Sequence, residues 1–476
     1  MTLYAGGTLK ERVKKEISDV HARQAVAKAT EKLRYGRLNA AAEMGNWEEW
    51  RQRGSAIRSH TIAHLDYYLS QFAENVEKQG GRVHFATDAA EALEHTRRIV
   101  QQTNGKYAVK SKSMVTEEIK LNRALEQAGV ETVETDLGEY IIQLAGEHPS
   151  HLLGPAVHKT KEQVAELFSK EGGKEVQADL QHLVGFARAA IREKFLAADI
   201  GITGCNFAIA EAGAVSLLTN EGNARMVTTL PETHIVFMGM ERIVPTWEDF
   251  EVVINLLPRA GTGQKISSGV SILKPVRSHE TDGPKNMHVI ILDNGRSNQL
   301  GDPDFQEILN CIRCGACINV CPVYRHVGGH SYGSVYNGPI GAVLTPLLNQ
   351  DSKQAAELSY ASSLCGACHE ACPVRIPLHD MLVKLRHRNV ESGYTSPLEK
   401  MAFQMFGTAF SSPSLYSKMT KAGQVLQKPF IKDGHFKEST PFMKGWTESR
   451  EFPEVQKSFR ERWKESIKHQ GGSSHE

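Results

Sequence analysis

Seven of the eight cysteines fall between Cys311 and Cys372, and Cys205 stands alone. The first group reads Cys311-Ile-Arg-Cys314-Gly-Ala-Cys317-Ile-Asn-Val-Cys321-Pro322, a C-x2-C-x2-C-x3-C-P run. That spacing is the iron–sulfur ligation run of bacterial-type ferredoxins. Three thiolates at two-residue gaps can wrap three corners of one cubane. The fourth follows a longer gap, precedes proline, and in two-cluster proteins ligates the other cluster. One such run therefore asks for a second, and Ser362-Ser-Leu-Cys365-Gly-Ala-Cys368-His-Glu-Ala-Cys372-Pro373 supplies it. Aligned on its Cys-Pro end, it repeats the first spacing with Ser362 in the first cysteine position. Crossed ligation then assigns Cys311, Cys314, Cys317 and Cys372 to cluster one. Cluster two takes Cys321, Cys365 and Cys368 and lacks a fourth thiolate.

The open corner has several readings. Ser362 could ligate through oxygen, water or another side chain could fill it, or the cluster could be 3Fe–4S. A hydroxyl is a far weaker anion than a thiolate at neutral pH, which disfavours Ser362. His326, His330, His369 and His379 are nearby alternatives, each of which reads as an ordinary surface or helix-end histidine. Zinc is the main competing metal, but these seven cysteines do not divide into tetrahedral sets. The C-x3-C-x2-C triplet of a radical enzyme is absent. The expected cofactors are two 4Fe–4S clusters, the second with a non-cysteine ligand or reduced to 3Fe–4S.

Elements of several kinds must position these thiols. Around 300–390 the flanks read as helical. Asp302-Pro303-Asp304 is a helix start, and apolar residues at helical spacing follow Pro377. Gly328 to Gly341 reads as a loop. This predicts an all-helical two-cluster ferredoxin module over 300–390. Residues 1–80 read as helices, Leu9 to Arg34 and Ile57 to Lys78, with Trp47 and Trp50 on one face. Between 81 and 299, β-rich runs alternate with helical ones such as Ala89–Gln102, Thr116–Ala128 and Val176–Ala198. Alternation of this kind predicts an α/β domain with a largely parallel sheet. Residues 391–476 form a loop-rich tail with helix starts at Ser396-Pro397, an apolar stretch Met401–Phe406, and Pro441-Phe442 and Trp446 further on. Its expected roles are wrapping the module or docking a partner, and 471–476 are expected to be disordered.

Open α/β sheets bind ligands at the carboxyl ends of their strands. The polar loops there hold Cys205, Asn206, Glu211, Asn223, Arg225 and Asp293 to Arg296. Turn formation by Asn, Gly and Asp explains most of this pattern, and Cys205 reads as a buried structural thiol. Gly261 to Gly269 lacks a nucleotide-binding glycine pattern and reads as a loop.

The chain has 476 residues, with 56 Lys and Arg against 55 Asp and Glu, a net charge of +1. Near neutrality removes the electrostatic case for a nucleic-acid binder. No apolar stretch approaches the ~20 residues of a membrane span, and residues 1–7 lack a signal-peptide pattern. A cytoplasmic protein is expected, with peripheral membrane contact left open.

The cysteine runs, Ile202-Thr-Gly-Cys205-Asn206 through Glu211-Ala-Gly213, Asn223-Ala-Arg-Met226, Lys110-Ser-Lys-Ser-Met114 and Leu137 to Leu144 resemble the lactate utilization protein B family over essentially the whole chain. The resemblance implies a LUD domain of the sugar-isomerase and CoA-transferase type, N-terminal helices, the ferredoxin module and a C-terminal tail. It implies an electron-transfer subunit in oxidation of L-lactate to pyruvate. Two partners of the same operon are implied: a cysteine-rich heterodisulfide-reductase-like protein and a second LUD-domain protein. The family carries these same seven cysteines, so Ser362 is no departure from it. Glu211 is not given the nucleophile role of some distant relatives. The chain is thus read as a non-catalytic relay with no catalytic residue assigned. The alternative is a 2-hydroxy-acid oxidoreductase with a substrate site at Asn206, Glu211, Asn223 or Arg225. A third reading is an iron–sulfur sensor or scaffold without turnover.

Overall fold

A computed structural model describes residues 3–276, 282–437, 447 and 450–471. The expectations for Pro441-Phe442, Trp446 and residues 472–476 lie outside the described residues.

Ten strands lie among the described residues of the first of two units, Met1–Asn389. They are β1 (Arg82–Ala86), β2 (Tyr107–Lys110), β3 (Glu131–Glu134), β4 (Ile200–Thr203), β5 (Phe207–Ile209), β6 (Ala214–Thr219), β7 (Thr233–Gly239), β8 (Ile243–Val244), β9 (Gly269–Leu273) and β10 (Asn286–Leu292). Six of them form a parallel sheet in the order β1-β10-β7-β4-β2-β3, as the alternation predicts. A second, mixed sheet has the order β8-β5-β6-β9. The central strands β7 and β10 are nearly continuous apolar runs, because helices cover both faces of a parallel sheet.

The pleat sends alternate residues to opposite cores. Ile235, Phe237, Ile290 and Leu292 pack with Ala92, Ile99 and Leu125 on one face. Val236, Met238, Val289 and Ile291 join the other core, which also takes Phe72 and Val76 from the N-terminal helices and Phe305, Ile308, Leu309 and Ile312 from the segment before the cysteines. Cys314, Cys317, Cys321, Cys368 and Cys372 belong to that same core. The cysteine module is therefore held by the sheet rather than hung from it.

Several helices end elsewhere than expected. The first breaks after Glu16 and resumes as Val20–Met44, capped by Asp19. Trp47–Ala63 and Leu65–Lys78 are separate helices, and Trp47 and Trp50 pack against the large core. Thr116–Ala128 splits because Lys120 adopts a left-handed conformation, φ 55°, between Met114–Glu118 and Leu121–Gln127. Asp302-Pro303 leads only to a 3-10 turn, Gln306–Asn310. The expected loop Gly328–Gly341 already begins the buried helix Gly338–Leu348.

The second unit, Val390–Glu476, holds the helices Pro397–Ser411 and Pro413–Leu426, each with a serine cap and proline in its first turn. Leu398, Phe403, Met405, Phe406 and Phe410 are exposed, and among the described residues of these two helices only Ala409 is buried. Among all described residues, no helix is long and apolar enough to cross a membrane.

Candidate metal centre

The two cysteine runs fold as copies of one backbone. Arg313 and Leu364 are both left-handed, φ 58° and 56°, and Gly315 and Gly366 follow at 78° and 79°. Short helical turns come next, Ala316–Val320 and Ala367–Ala371, and pack against each other. Both end on extended cysteines, Cys321 at φ −74° and Cys372 at φ −69°. The Arg313 N–H donates to Cys311 Sγ at 3.4 Å, and the Leu364 N–H donates to Ser362 Oγ at 3.1 Å. Ser362 thus occupies the place of Cys311 in the second copy. Backbone N–H groups of Tyr324 and Ile376 likewise donate to Cys321 Sγ and Cys372 Sγ at 3.5 and 3.4 Å.

Cys311, Cys314, Cys317 and Cys372 border one cavity, whose other walls include Leu152, Ile340, Val374 and Leu378. Burial, then the neighbouring thiols Cys372 and Cys311, push the Cys314 thiol up. Burial pushes Cys372 up to about 11, with Cys311 adding to it. Cys368 is pushed up to about 12 by burial, then by Cys321 and Cys365. Cys321 is raised by burial and by Cys365. The electrostatic neighbours therefore fall into two groups, with Cys317 also feeling Cys368 of the other group. Only Cys365 of the seven is exposed. Buried thiols this close resist ionising together, and bound iron would remove that penalty by supplying positive charge. Among the described residues, no three His, Cys, Asp or Glu side chains are placed to share a single metal ion. Seven thiols in two neighbouring groups fit clusters of several irons better than a four-ligand tetrahedral zinc site.

The four candidate histidines are partly engaged elsewhere. His326 Nδ1 meets the Pro322 carbonyl at 2.7 Å, and His330 Nε2 meets the His148 carbonyl at 2.7 Å. His369 Nδ1 lies 3.2 Å from the Ile376 carbonyl, and the His379 ring stands 5.4 Å from His369.

One N-terminal helix holds both ends of the first group. Arg51 donates to the carbonyls of Cys372 and His369 at 2.9 and 3.0 Å. Arg58, fully buried, donates to the carbonyls of Leu309 and Asn310 at 3.1 and 3.3 Å, and to those of Ile243 and Glu241. Residues seven apart share a helix face. The helix Trp47–Ala63 therefore clamps the turn before Cys311 and the turn at Cys372 with one stripe.

A chain of buried charges joins the sheet domain to the module. Arg296 makes two contacts to Glu118, at 3.0 and 2.8 Å, and pairs with Glu241 at 2.8 Å. Glu241 pairs in turn with Arg313 at 3.0 Å. Tyr336 and Asn294 donate to Glu118 at 2.6 Å each. Burial would raise the Glu241 carboxyl, but Arg296, Arg313 and Arg242 outweigh it and hold it at about 2. Arg242 donates to the Cys311 carbonyl at 3.0 Å. Sequence reasoning missed this frame, since its partners are far apart in the chain. Arg296, read there with the polar strand-end loops, is a buried ion-pair partner.

Gly261, at the end of the helix Trp247–Gly261, meets the same module. A Cβ there would stand 2.5 Å from the Cys314 carbonyl oxygen. Alanine at 261 gains about 1 kcal/mol in helix propensity, but forcing the Cys314 backbone aside costs about 1–3 kcal/mol. Gly261→Ala is expected to lower iron content in the first group and to leave far-ultraviolet circular dichroism unchanged. Full iron loading in that variant would show that the contact relaxes freely.

Of the residues considered for a substrate site, Asn206 and Asn223 line one cavity at the strand ends, and Cys205, read as a structural thiol, lines it too. Glu211 and Arg225 do not line it, and Glu211 instead accepts the Trp247 N–H at 2.8 Å. Cys205 is half-buried, and burial pushes its thiol up to about 12.

Family models match three stretches of the chain: a LUD domain at residues 69–292, a 4Fe–4S dicluster domain at 307–376, and a lactate utilisation protein B C-terminal region at 384–468. Fold and site together define an α/β LUD protein carrying an iron–sulfur dicluster domain. The chain belongs to the lactate utilization protein B family. It is 54% identical to the Bacillus licheniformis member over 97% of both chains. It is 53% identical to the Oceanobacillus iheyensis member over 96% of both, and 54% identical to the Bacillus subtilis member over 94% of both. A solved structure of a DUF162 family protein from Deinococcus radiodurans overlaps 48% of this chain and 98% of its own at 16% identity and a TM-score of 0.27.

Proposed function

We propose that this chain is an electron-transfer component in the oxidation of L-lactate to pyruvate, holding two 4Fe–4S clusters by crossed ligation. The observation that carries the reading is the gathering of Cys372 with Cys311, Cys314 and Cys317, and of Cys321 with Cys365 and Cys368. The relatives' name points to lactate. Clusters bound there supply one-electron carriers. The protein's own contribution is burial of five thiols, N–H donors aimed at sulfur, and three arginines, Arg58, Arg242 and Arg313, electrostatically close to Cys311. These cations favour the reduced, more negative state of the first group. The exposed Cys365 marks the side where electrons pass to or from a partner. The partners are a cysteine-rich heterodisulfide-reductase-like protein and a second LUD protein, with the apolar helix Pro397–Ser411 offered for docking.

The test is anaerobic purification with iron and sulfide counted and electron paramagnetic resonance before and after dithionite. About eight irons per chain and two interacting reduced signals are expected. Because Ser362 stands where Cys311 stands in the other copy, Ser362→Cys is expected to supply a fourth thiolate to the second group. The variant should lose any oxidised 3Fe–4S signal and gain resistance to air. Zinc in place of iron would overturn the relay reading, and so would lactate-dependent dye reduction by the chain alone.

A further inference from the structure

We infer that the Ser362 hydroxyl oxygen is the fourth ligand of the second cluster, which is then held by three thiolates and one alkoxide. The inference rests on the two-cluster reading and fills the corner that seven cysteines leave open. It is carried by how closely the two copies agree. At one constant interval, Cys311 corresponds to Ser362, Cys314 to Cys365, Cys317 to Cys368 and Cys321 to Cys372. A 3-10 turn precedes each set, Gln306–Asn310 and Glu357–Tyr360. An arginine from a helix elsewhere in the fold fastens each entry. Arg58 donates to the Leu309 and Asn310 carbonyls, and Arg386 donates to the Ser359 and Ser362 carbonyls at 3.0 and 3.2 Å. Past Gly315, the N–H groups of Ile318, Asn319 and Cys321 reach their carbonyls at 3.0, 3.2 and 3.2 Å. Past Gly366, those of His369, Glu370 and Cys372 follow the same pattern at 2.9, 3.3 and 3.2 Å.

Backbones this alike aim the Ser362 side chain as they aim that of Cys311. The N–H two residues on then meets oxygen in one copy as it meets sulfur in the other. A serine accepting such a bond also makes an ordinary local turn. Leu364 separates the two readings. Left-handed backbone costs a residue with a side chain on the order of 1–2 kcal/mol. The same strain recurs at Arg313, beside a thiol ligand, so it belongs to the ligating loop rather than to serine. A free hydroxyl is a weak anion, but a bound cation inverts that preference. The Fe–O bond forms as the O–H bond breaks, the proton leaves to solvent from the half-buried Ser362, and no electron moves. The Leu364 N–H and the Arg386 guanidinium at the Ser362 carbonyl favour the alkoxide. His379 is the competing donor, because its Nδ1 has no hydrogen-bond partner among the described residues. It lies on the helix Leu378–Glu391, outside the copied stretch, with Nε2 3.6 Å from Asp380.

An alkoxide is a harder donor than a thiolate and favours ferric iron, which lowers the potential of the second cluster. The test is electron–nuclear double resonance on dithionite-reduced anaerobic holoprotein grown on serine carrying oxygen-17 in its hydroxyl. Wild type is expected to show an oxygen-17 coupling, to which a water ligand would contribute nothing. The coupling should vanish in Ser362→Ala and persist in His379→Ala. Ser362→Ala should fall from about eight to about seven irons per chain and show an oxidised 3Fe–4S signal. Ser362→Cys should keep about eight and shift one midpoint potential positive. A wild type with about eight irons and no coupling would overturn the serine ligand and leave the clusters standing. Coupling that survives in Ser362→Ala, iron loss in His379→Ala, or unchanged potentials in Ser362→Cys would overturn it too. So would a wild type with about seven irons and an oxidised 3Fe–4S signal, whose corner is empty. Zinc in place of iron would remove the cluster reading itself.

Discussion

Replacing Cys321 with alanine is expected to remove the same half of the iron as replacing Cys365, and Cys372→Ala is expected to behave like Cys311→Ala. In each case iron falls from about eight to about four per chain, and one of two paramagnetic signals survives. The expectation follows from the proposed crossed ligation. Cys321 lies four residues from Cys317 in the chain, yet Cys365 and Cys368 are the thiols that share its surroundings. Cys372 comes from the second run but borders the cavity of Cys311, Cys314 and Cys317. If each run held its own cluster, Cys321→Ala would instead match Cys314→Ala. The pairing of phenotypes therefore decides between the two arrangements. Both groups sit in the core shared with the sheet, so loss of cluster one should also lower the unfolding midpoint. Cys365, being exposed, should be the mildest substitution for stability.

Arg296→Met should destabilise the protein by about 3–5 kcal/mol, the cost of breaking a buried ion pair from one side. The guanidinium is fully buried and neutralises both Glu118 and Glu241. Methionine fills much of the volume but leaves two buried carboxylates without their common cation. Arg296→Lys should recover part of the loss only, since an ammonium is a point charge and cannot reproduce the forked contacts. Denaturant unfolding of anaerobic protein at neutral pH measures the difference. The pH dependence has a definite sign. The Glu241 carboxyl lies at about 2 in the folded chain, below the unfolded value of about 4.3. Its contribution is fully present above about 4.3 and is lost as pH falls toward about 2. Glu118 is lowered in the same direction, the Arg296 guanidinium and donors from Asn294 and Tyr336 outweighing burial. The stability gap between wild type and Glu241→Gln should therefore narrow across that range. A gap that widened on acidification would contradict the ion-pair account.

The sequence by itself determined what depends on short spacing and regular periodicity. Thiols at fixed gaps write the same left-handed turn, glycine, helical turn and extended cysteine twice, because each step is set within a few residues. Alternating strand and helix signals determined the parallel sheet, since apolar runs such as Ile235 to Met238 need cover on both faces. Only the tertiary structure decided what surrounds the thiols. Arg58 reaches Leu309 and Asn310, 251 and 252 residues away. Arg296 reaches Glu118 across 178. No local pattern distinguishes those arginines from solvated ones, because charge pairing inside a core depends on which surfaces fold together. The same holds for the cavity at the strand ends. Asn206 and Asn223 line it while Glu211 and Arg225, equally polar and equally near strand ends, do not. Chain proximity to a strand end places a residue near the site, but the packing of the cysteine module against the sheet selects which side chains face the opening.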